Sequence, residues 1–491
     1  MNQQGHTPPW LAGADRSAPW DQLHVCVAGL GVSGFAAADA LLSLGATVTV
    51  VDAGGAVAPL AERAQVLSVL GADVRLGQPA ATTLPPGTQL VVTSPGWRPG
   101  ADLLAAAEQT SVPVWGEVEL AWRLRPLQHP APWLVVTGTN GKTTTVRMLA
   151  SMLTAAGHRT AAAGNVGTPL VQVVMAQPGY EVLAVEMSSF QLHWTTSMSP
   201  LASTVLNVAP DHVDWHGSLS AYTRDKGRAY TATQVACVYN VADPVTEQLV
   251  RDADVVDGCR AVGFTLGVPA VGMVGVVDDV LVDRAFLEDR AHAAAELAQV
   301  SDVVPAAPHN VADALAAAAL ARAYGVAPAA VRAGLAAFRP DPHRIAQVAV
   351  VDQVTYIDDS KATNPHAAAA SLWAYPSIVW VAGGLAKGAD FDELVAGAAP
   401  RLRGVVLLGR DRELIAHALV RHAPDVPVVE VVSNETGVMD EVVRAAAALA
   451  RPGDTVLLAP ACASMDLFRD YAARGDAFAQ AVGRLPGGSG R

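Results

Sequence analysis

Trp133-Leu-Val-Val-Thr-Gly-Thr-Asn-Gly-Lys-Thr-Thr-Thr-Val146 decides how the rest of the chain is read. The apolar run Leu134 to Val136 predicts a buried strand, and Gly138 and Gly141 predict a tight loop. Thr143 onward predicts a helix with Val146, Leu149 and Leu153 on one face. Strand, glycine loop, Lys-Thr and helix form a cradle for a nucleotide triphosphate. Backbone N–H groups and the positive helix end face the phosphates, Lys142 neutralises outer oxygens, and the Thr143 hydroxyl can hold Mg²⁺. A full phosphate-loop motif places a glycine where this chain has Val136, so the shorter Gly138-Thr-Asn-Gly-Lys-Thr143 remains. Its setting between strand and helix marks it as a phosphate loop rather than an ordinary turn.

Working outward, 491 residues are too many for one core and predict two to four domains. Hydrophobic residues make up 51% of the chain, yet no uninterrupted apolar run approaches the roughly 20 residues that a membrane helix needs. Met1 to Trp20 is polar and proline-bearing without a signal-peptide pattern, so residues 1–22 are expected to be a disordered leader. Cys26, Cys237, Cys259 and Cys462 lack disulfide-framework or zinc spacing, which fits a reducing cytoplasm. A formal charge of −13 argues against a general nucleic-acid binder. Residues 486–491 read as a flexible tail.

Over residues 23–122, Leu23 to Ala28 reads as a strand, followed by Gly29-Leu-Gly-Val-Ser-Gly34 and a helix through Leu44. A second strand, Thr47 to Val51, ends at Asp52. This is a Gly-x-Gly-x-x-Gly turn in βαβ context, with pyrophosphate expected on the helix N-terminus. A dinucleotide and a nucleotide-sugar diphosphate both fit it. A helix near Leu60 to Leu70 and strands Leu90 to Thr93 and Val112 to Val114 follow. Ser94-Pro-Gly96 ends a strand where open parallel sheets bind ligands.

Over residues 123–340, Gly164-Asn-Val-Gly167 and strand Val182 to Val185 lead into Glu186, a carboxylate placed to take Mg²⁺. Strand Thr204 to Val208 runs into Asp211-His-Val-Asp-Trp-His216 and Tyr222-Thr-Arg-Asp-Lys226. Zinc held by His212 and His216 is disfavoured, because no His-Glu-x-x-His pattern or thiolate accompanies them. A second Mg²⁺ near His212 suits an ATP enzyme better. Lys226 has no evident role there, since an ammonium does not ligate a cation. Asn310, opening the helix Val311 to Tyr324, could reach a nucleotide. Residues 260–300 could not be ordered into elements.

Over residues 341–485, strands near Thr355 to Ile357, Ile378 to Val381, Val405 to Leu408 and Thr455 to Leu458 alternate with helical segments. The alternation predicts a parallel sheet covered on both faces. His343-Arg344, Asp358 to Asn364, Gly383 to Asp390 and Ala461 to Ser464 follow or precede these strands. Singly each reads as a solvated loop. Together they predict a site for a small polar substrate that helps close over a nucleotide.

Gly138-Thr-Asn-Gly-Lys-Thr143, Asp211-His-Val-Asp214, His343-Arg344 and Asp359-Ser-Lys-Ala-Thr-Asn364 resemble the ATP-dependent Mur ligases of peptidoglycan synthesis. The Gly29 loop with Ser94-Pro-Gly96, Gly384-x-x-Lys-Gly-Ala-Asp390 and Pro460-Ala-Cys-Ala-Ser-x-Asp466 resemble the D-glutamate-adding branch of that family. The Asp-Asn-Pro-Arg signature of its diamino-acid-adding branch is absent from the sequence. The resemblance implies an α/β chain of three domains: an N-terminal Rossmann-like one, a central P-loop-type ATPase with a mostly parallel sheet, and a C-terminal Rossmann-like one.

The resemblance also implies roles. UDP-N-acetylmuramoyl-L-alanine would meet Val32, Ser33, Asp52, Ser94, Gly96, Asn165 and His212. ATP would meet Gly138, Thr139, Asn140, Gly141, Lys142, Thr143 and Thr144, with Asn310, Arg344 and Asp359. Thr143 and Glu186 would take one Mg²⁺, and His212 and Lys226 a second. The family carbamylates the lysine placed as Lys226, turning a cation into an anionic oxygen ligand. The spacing from His212 to Lys226 is one residue shorter than in the family, so Tyr222-x-x-x-Lys226 anchors the match. Lys361 would lie near the phosphates, while Thr363, Lys387, Ser464 and Tyr471 would hold D-glutamate. Tyr471 replaces a phenylalanine and Ala459 a serine of the family pattern. The implied enzyme is a cytoplasmic monomer with no nucleic acid partner and no membrane insertion.

Rival readings are an L-alanine-adding or folate ligase of the same superfamily, an NAD-dependent dehydrogenase, or a non-catalytic nucleotide-binding scaffold. The dehydrogenase reading gives Lys142, Lys361 and Lys387 no role. Cys462, beside the predicted substrate loop, reads as packed rather than reactive.

Overall fold

In a computed structural model, residues 7–432 and 437–486 are described. They form a mixed α/β structure with three mostly parallel sheets. The sheets fall into two compact units: one comprises the chain to Asp302 plus Ala312–Phe338, the other Val303–Val311 plus the chain from Arg339.

The first sheet contains β1 (His24–Ala28), β2 (Thr47–Asp52), β3 (Asp73–Leu76), β4 (Leu90–Thr93) and β5 (Val114–Gly116). All pairs are parallel, in the order β3-β2-β1-β4-β5. The order reverses direction between β1 and β4, and ligand crevices form outside the strand ends at such a point. β5 begins at Val114, where the sequence placed a strand over Val112 to Val114.

The second sheet belongs to the same unit. It contains β6 (Trp133–Thr137), β7 (Thr160–Gly164), β8 (Val182–Glu186), β9 (Ala202–Val205), β10 (Ala236–Asn240), β11 (Arg260–Phe264), β12 (Met273–Val277), β13 (Val280–Asp283) and β14 (Ala295–Gln299). Their order is β14-β13-β12-β11-β10-β9-β6-β8-β7. Only the β12–β13 and β13–β14 pairs are antiparallel. β6 is wholly buried, as an apolar strand covered on both faces should be. The helix Lys142–Ala155 buries Val146, Leu149 and Leu153 as its spacing predicts. β9 ends at Val205, short of the Thr204 to Val208 strand expected. The following residues turn away instead, because the Asn207 carbonyl accepts from Thr139 N–H.

Two buried carboxylates tie the helix Glu117–Arg123, which follows the first sheet, to segments that connect strands of the second. Glu117 Oε1 accepts from Val171 N–H at 2.7 Å. Glu119 accepts from Thr196 N–H at 2.8 Å and from the Ser197 hydroxyl at 2.6 Å.

The disordered leader expected over residues 1–22 is corrected across its described part. Residues 9–13 and 20–22 form short 3₁₀ turns, and Leu11 and Trp20 are buried in the core. Trp20 packs edge-on between Trp10 and Trp115, with ring centroids 6.2 and 6.5 Å away. Burying one leucine is worth roughly 1.5–3 kcal/mol, enough to hold a segment with no periodicity of its own. Residues 1–6 and, apart from Pro486, the predicted tail lie outside the described residues.

The second unit's sheet contains β15 (Ala346–Val351), β16 (Val354–Asp358), β17 (Ile378–Gly383), β18 (Leu402–Leu408), β19 (Val428–Glu430) and β20 (Thr455–Leu458). Their order is β15-β16-β20-β17-β18-β19, parallel except for β15 against β16. Ile378, Trp380 and Ala382 enter one core and Val379 and Val381 another, so both faces are covered. Among the described residues no helix is long and apolar enough to cross a membrane.

Candidate active site

The phosphate loop leaves β6 between β8 and β9, whose ends bring Glu186 and Val205 beside it. The helix after it begins at Lys142 with Gly141 in the left-handed region at φ +84°. A Cβ on Gly141 would lie 2.3 Å from Asp313 Oδ1, so the position needs glycine for space as well as conformation. Thr139 is buried, its hydroxyl 2.9 Å from that of Tyr222, and it accepts from Ala209 N–H at 3.0 Å. Asn140 N–H donates to Asn207 Oδ1 at 2.9 Å. Thr143 and Thr144 follow Lys142 in the first turn of the helix.

Lys142 Nζ donates to the carbonyls of Gly138 and Thr139, both at 2.9 Å. Lys226 Nζ, from the helix Leu219–Gly227, donates to the same Gly138 carbonyl at 2.7 Å. Lys226 is buried, and burial first, then the charge of Lys142, hold its amine well below the usual lysine range.

Glu186 is 2% exposed. Its Oε1 accepts from Asn165 Nδ2 at 2.8 Å, while Oε2 is buried with no hydrogen-bond partner. An orphaned buried carboxylate oxygen is costly unless something else completes it, and a cation ligand would. His212 adopts the left-handed conformation at φ +50°, with its ring 4.8 Å from that of Phe190. Among the described residues no three His, Cys, Asp or Glu side chains form a ready metal cluster. Both ring nitrogens of His216 already have protein partners, Asp225 and Ser189. A cation taking a hydroxyl, one carboxylate and oxygens from substrate needs no such trio, so the residues present fit Mg²⁺.

At the first sheet's C-terminal edge, Asp52 Oδ2 accepts from Leu30 N–H and Oδ1 from Gly54 N–H, both at 2.7 Å. These bonds fix the glycine loop. A Cβ on Gly34 would sit 1.8 Å from the Gly29 carbonyl oxygen, which explains the third glycine as close helix–loop packing. Ser94 donates to that carbonyl at 3.4 Å. Val32 is exposed and Ser33 half-buried at the helix start. A cleft of about 900 Å³ is lined from the first sheet by Ala53, Gly96 and Arg98, and from the second by His193, Trp215 and Arg224. Arg98 spans it to Asp214 at 3.0 Å.

The other candidates lie in the second unit. Asn310 is buried, and its side chain donates to the Pro305 carbonyl at 3.1 Å. Asp359 is turned inward, accepting from Ile345 N–H at 3.3 Å and from the Ser371 hydroxyl. Burial pushes its carboxyl up to about 6 against the opposing pull of Ser371 and Arg344. Lys361 Nζ lies 4.0 Å from the centre of the Tyr471 ring, so these two are brought together. Thr363 N–H donates to the Lys361 carbonyl. Lys387 is exposed at φ +51°, in a loop pinned to the Ser464 loop by paired bonds between Leu385 and Ala463 at 2.8 and 3.0 Å. Cys462 is buried and its thiol is pushed up to about 12, so it is packed, as its position suggested.

Arg474 was missed from the sequence. It is 1% exposed and donates to the Ser360 hydroxyl at 2.9 Å, the Ser360 carbonyl at 2.8 Å and the Cys462 carbonyl at 3.1 Å. One guanidinium thus ties the Lys361–Thr363 loop to the Cys462–Ser464 loop. Also missed were Ser189 and Asp225, whose hydrogen bonds converge on His216 beside the cleft. The only signals were a carboxylate adjoining Lys226 and a histidine one turn past His212.

The Mur ligase middle-domain family matches residues 136–321, and the Mur ligase glutamate ligase domain matches residues 343–462. A UDP-N-acetylmuramoylalanine--D-glutamate ligase of Streptomyces avermitilis is 65% identical over 463 residues, covering 94% of this chain and 98% of the relative. The protein of that name from Thermobifida fusca is 58% identical, covering 94% and 98%. Among solved structures, the fold matches a UDP-N-acetylmuramate-alanine ligase from Thermotoga maritima with a TM-score of 0.55 at 19% identity, covering 94% of this chain and 99% of that one. A MurF ligase from Thermotoga maritima in complex with ADP also gives 0.55, at 15% identity, covering 89% and 94%. The chain belongs to the Mur ligase family, among the UDP-N-acetylmuramoylalanine--D-glutamate ligases.

Proposed function

We propose that this chain joins D-glutamate to UDP-N-acetylmuramoyl-L-alanine through an amide bond, with ATP converted to ADP and phosphate, in peptidoglycan precursor synthesis. The observation that carries the reading is 65% identity extending over 94% of the chain to a ligase of that name. Three Rossmann- or P-loop-type domains divide the work. Residues 23–122 take the UDP end through Val32, Ser33, Asp52, Ser94 and Gly96. Residues 123–340 take ATP on the Gly138–Thr144 loop, and Asn165 and His212 meet the muramoyl end. Residues 341–485 supply Arg344 and Asp359 for ATP, Lys361 near its phosphates, and Thr363, Lys387, Ser464 and Tyr471 for D-glutamate. The enzyme works as a cytoplasmic monomer.

A terminal alanyl carboxylate oxygen attacks the γ-phosphorus of ATP, and ADP leaves. The D-glutamate amine then attacks the acyl carbon, phosphate leaves, and the nitrogen gives up a proton. Two anions must meet in the first step, so Lys142 stabilises charge on the transferring phosphoryl. Thr143 and Glu186 hold one Mg²⁺ and His212 and Lys226 the other, and bound Mg²⁺ supplies positive charge that offsets the same repulsion. Lys226 contributes as a carbamate. Its burial supports this, because a neutral amine is the form that adds CO₂.

Phosphate release by the purified enzyme with UDP-N-acetylmuramoyl-L-alanine tests the reading. Release with D-glutamate but not with L-glutamate or L-alanine is expected. Equal release with L-alanine on UDP-N-acetylmuramate would move the chain to the L-alanine-adding branch, and NADH binding would favour the dehydrogenase.

A further inference from the structure

Glu186, His212 and Lys226 sit on three separate segments, and each segment sends a second side chain into one buried hydrogen-bond chain. Ser189 follows Glu186, His216 follows His212, and Asp225 precedes Lys226. His216 Nδ1 is 2.9 Å from Asp225 Oδ2, and its Nε2 is 2.9 Å from Ser189 Oγ. Asp225 Oδ2 is also 2.8 Å from His193 Nδ1, and Arg228 Nε lies 3.4 Å from Oδ1. Ser189 and Asp225 are each 2% exposed, and the His216 side chain is fully buried.

A carboxylate oxygen accepts and a hydroxyl can donate, so the His216 Nδ1–H donates to Asp225 and Nε2 accepts from the Ser189 hydroxyl. Phe190 stacks on the His216 ring at 5.5 Å while meeting His212 edge-on at 4.8 Å. Tyr222 touches the His216 ring at 5.3 Å and bonds Thr139 of the phosphate loop.

Serine, histidine and aspartate in this order and at these distances also describe a nucleophilic triad. Ser189 is 2% exposed, so no acyl group can reach its hydroxyl. The arrangement can orient but not react.

We infer that the Ser189–His216–Asp225 chain is a positioning device that holds Glu186, from one of the two cation sites proposed above, in register with His212 and Lys226, from the other. The inference rests on the ligand roles proposed above. Asp225 fixes the helix end that carries Lys226 against the turn that carries His212. Ser189 fixes that turn against the end of β8. Side chains one step behind a metal's ligands set their orientation, and losing one costs about 10- to 100-fold in metal affinity.

The test uses the full chain and its Asp225→Asn, His216→Phe and Glu186→Gln variants. Mn²⁺ binding is read by electron paramagnetic resonance with a non-hydrolysable ATP analogue. The Mg²⁺ and D-glutamate dependence of phosphate release is measured in parallel. Asp225→Asn and His216→Phe should raise the half-saturating cation concentration about tenfold or more in both measurements, with the KM for D-glutamate within about twofold. Cation dependence within about twofold of wild type, or all constants moving together with the folded fraction, would overturn the inference. Weakened Glu186→Gln beside wild-type-like Asp225→Asn overturns the inference alone. A Glu186→Gln variant that binds the cation like wild type overturns the ligand assignment and this inference with it.

Discussion

Lys142 and Lys226 donate to the same oxygen, the Gly138 carbonyl, at 2.9 and 2.7 Å. Burial first, and then repulsion from the neighbouring Lys142, makes Lys226 lose its proton more easily. The pair thus separates into a charged lysine suited to phosphate and a lysine chemically ready for modification.

Lys142→Ala removes the charged member. The expected loss in kcat is on the order of 10²–10³-fold, the size seen when one preorganised charge-stabilising group is deleted. Steady-state kinetics at saturating substrates check it, and a nearly unchanged kcat would count against the role.

Lys226→Ala should be inactive, and a short carboxylic acid should restore part of the activity by standing in for the carbamate oxygen. Activity titrated against acetate or propionate reads this out. A fully active variant would refute the role.

Arg474 holds the loops that carry Thr363 and Ser464, so its effect should fall on D-glutamate. Arg474→Lys keeps a charge but cannot make all three bonds. Its KM for D-glutamate should rise about tenfold, the worth of one charged hydrogen bond. The KM for the UDP substrate should stay put, and equal shifts in both would indicate general destabilisation instead.

Glu117 links pH to stability. Burial raises its carboxyl from 4.5 to about 7, with Oε2 left unpartnered. A carboxyl whose folded pKa is raised contributes stability present below about 4.5 and lost as pH rises through about 7. Glu117→Gln removes that dependence. Relative to wild type it should gain on the order of 3 kcal/mol between pH 4.5 and pH 8, read from paired denaturant titrations. A constant difference across that range would show that Glu117 does not titrate as a buried group.

The phosphate loop, the first glycine turn and most strands were legible because each rests on local pattern: apolar runs, glycine spacing and a following amphipathic helix. Trp20 was misread for the opposite reason. Its burial depends on Trp115, far along the chain, and nothing in the leader's own composition announces it. The antiparallel β12–β14 edge was hidden because short apolar runs do not declare their partners. Glu186 and Lys226 could be named from the sequence, but not the orphaned oxygen of the first or the shared carbonyl of the second. Nothing local to Asp225 or Arg474 signals burial, and only tertiary packing buries them.

The most direct measurement follows an oxygen atom. UDP-N-acetylmuramoyl-L-alanine labelled with ¹⁸O in its alanyl carboxylate is turned over with ATP and D-glutamate, and the released phosphate is analysed by mass spectrometry. One ¹⁸O atom in the phosphate, appearing only when D-glutamate is present, is the expected result. Unlabelled phosphate, or release at the same rate without D-glutamate, would contradict amide formation through an acyl phosphate.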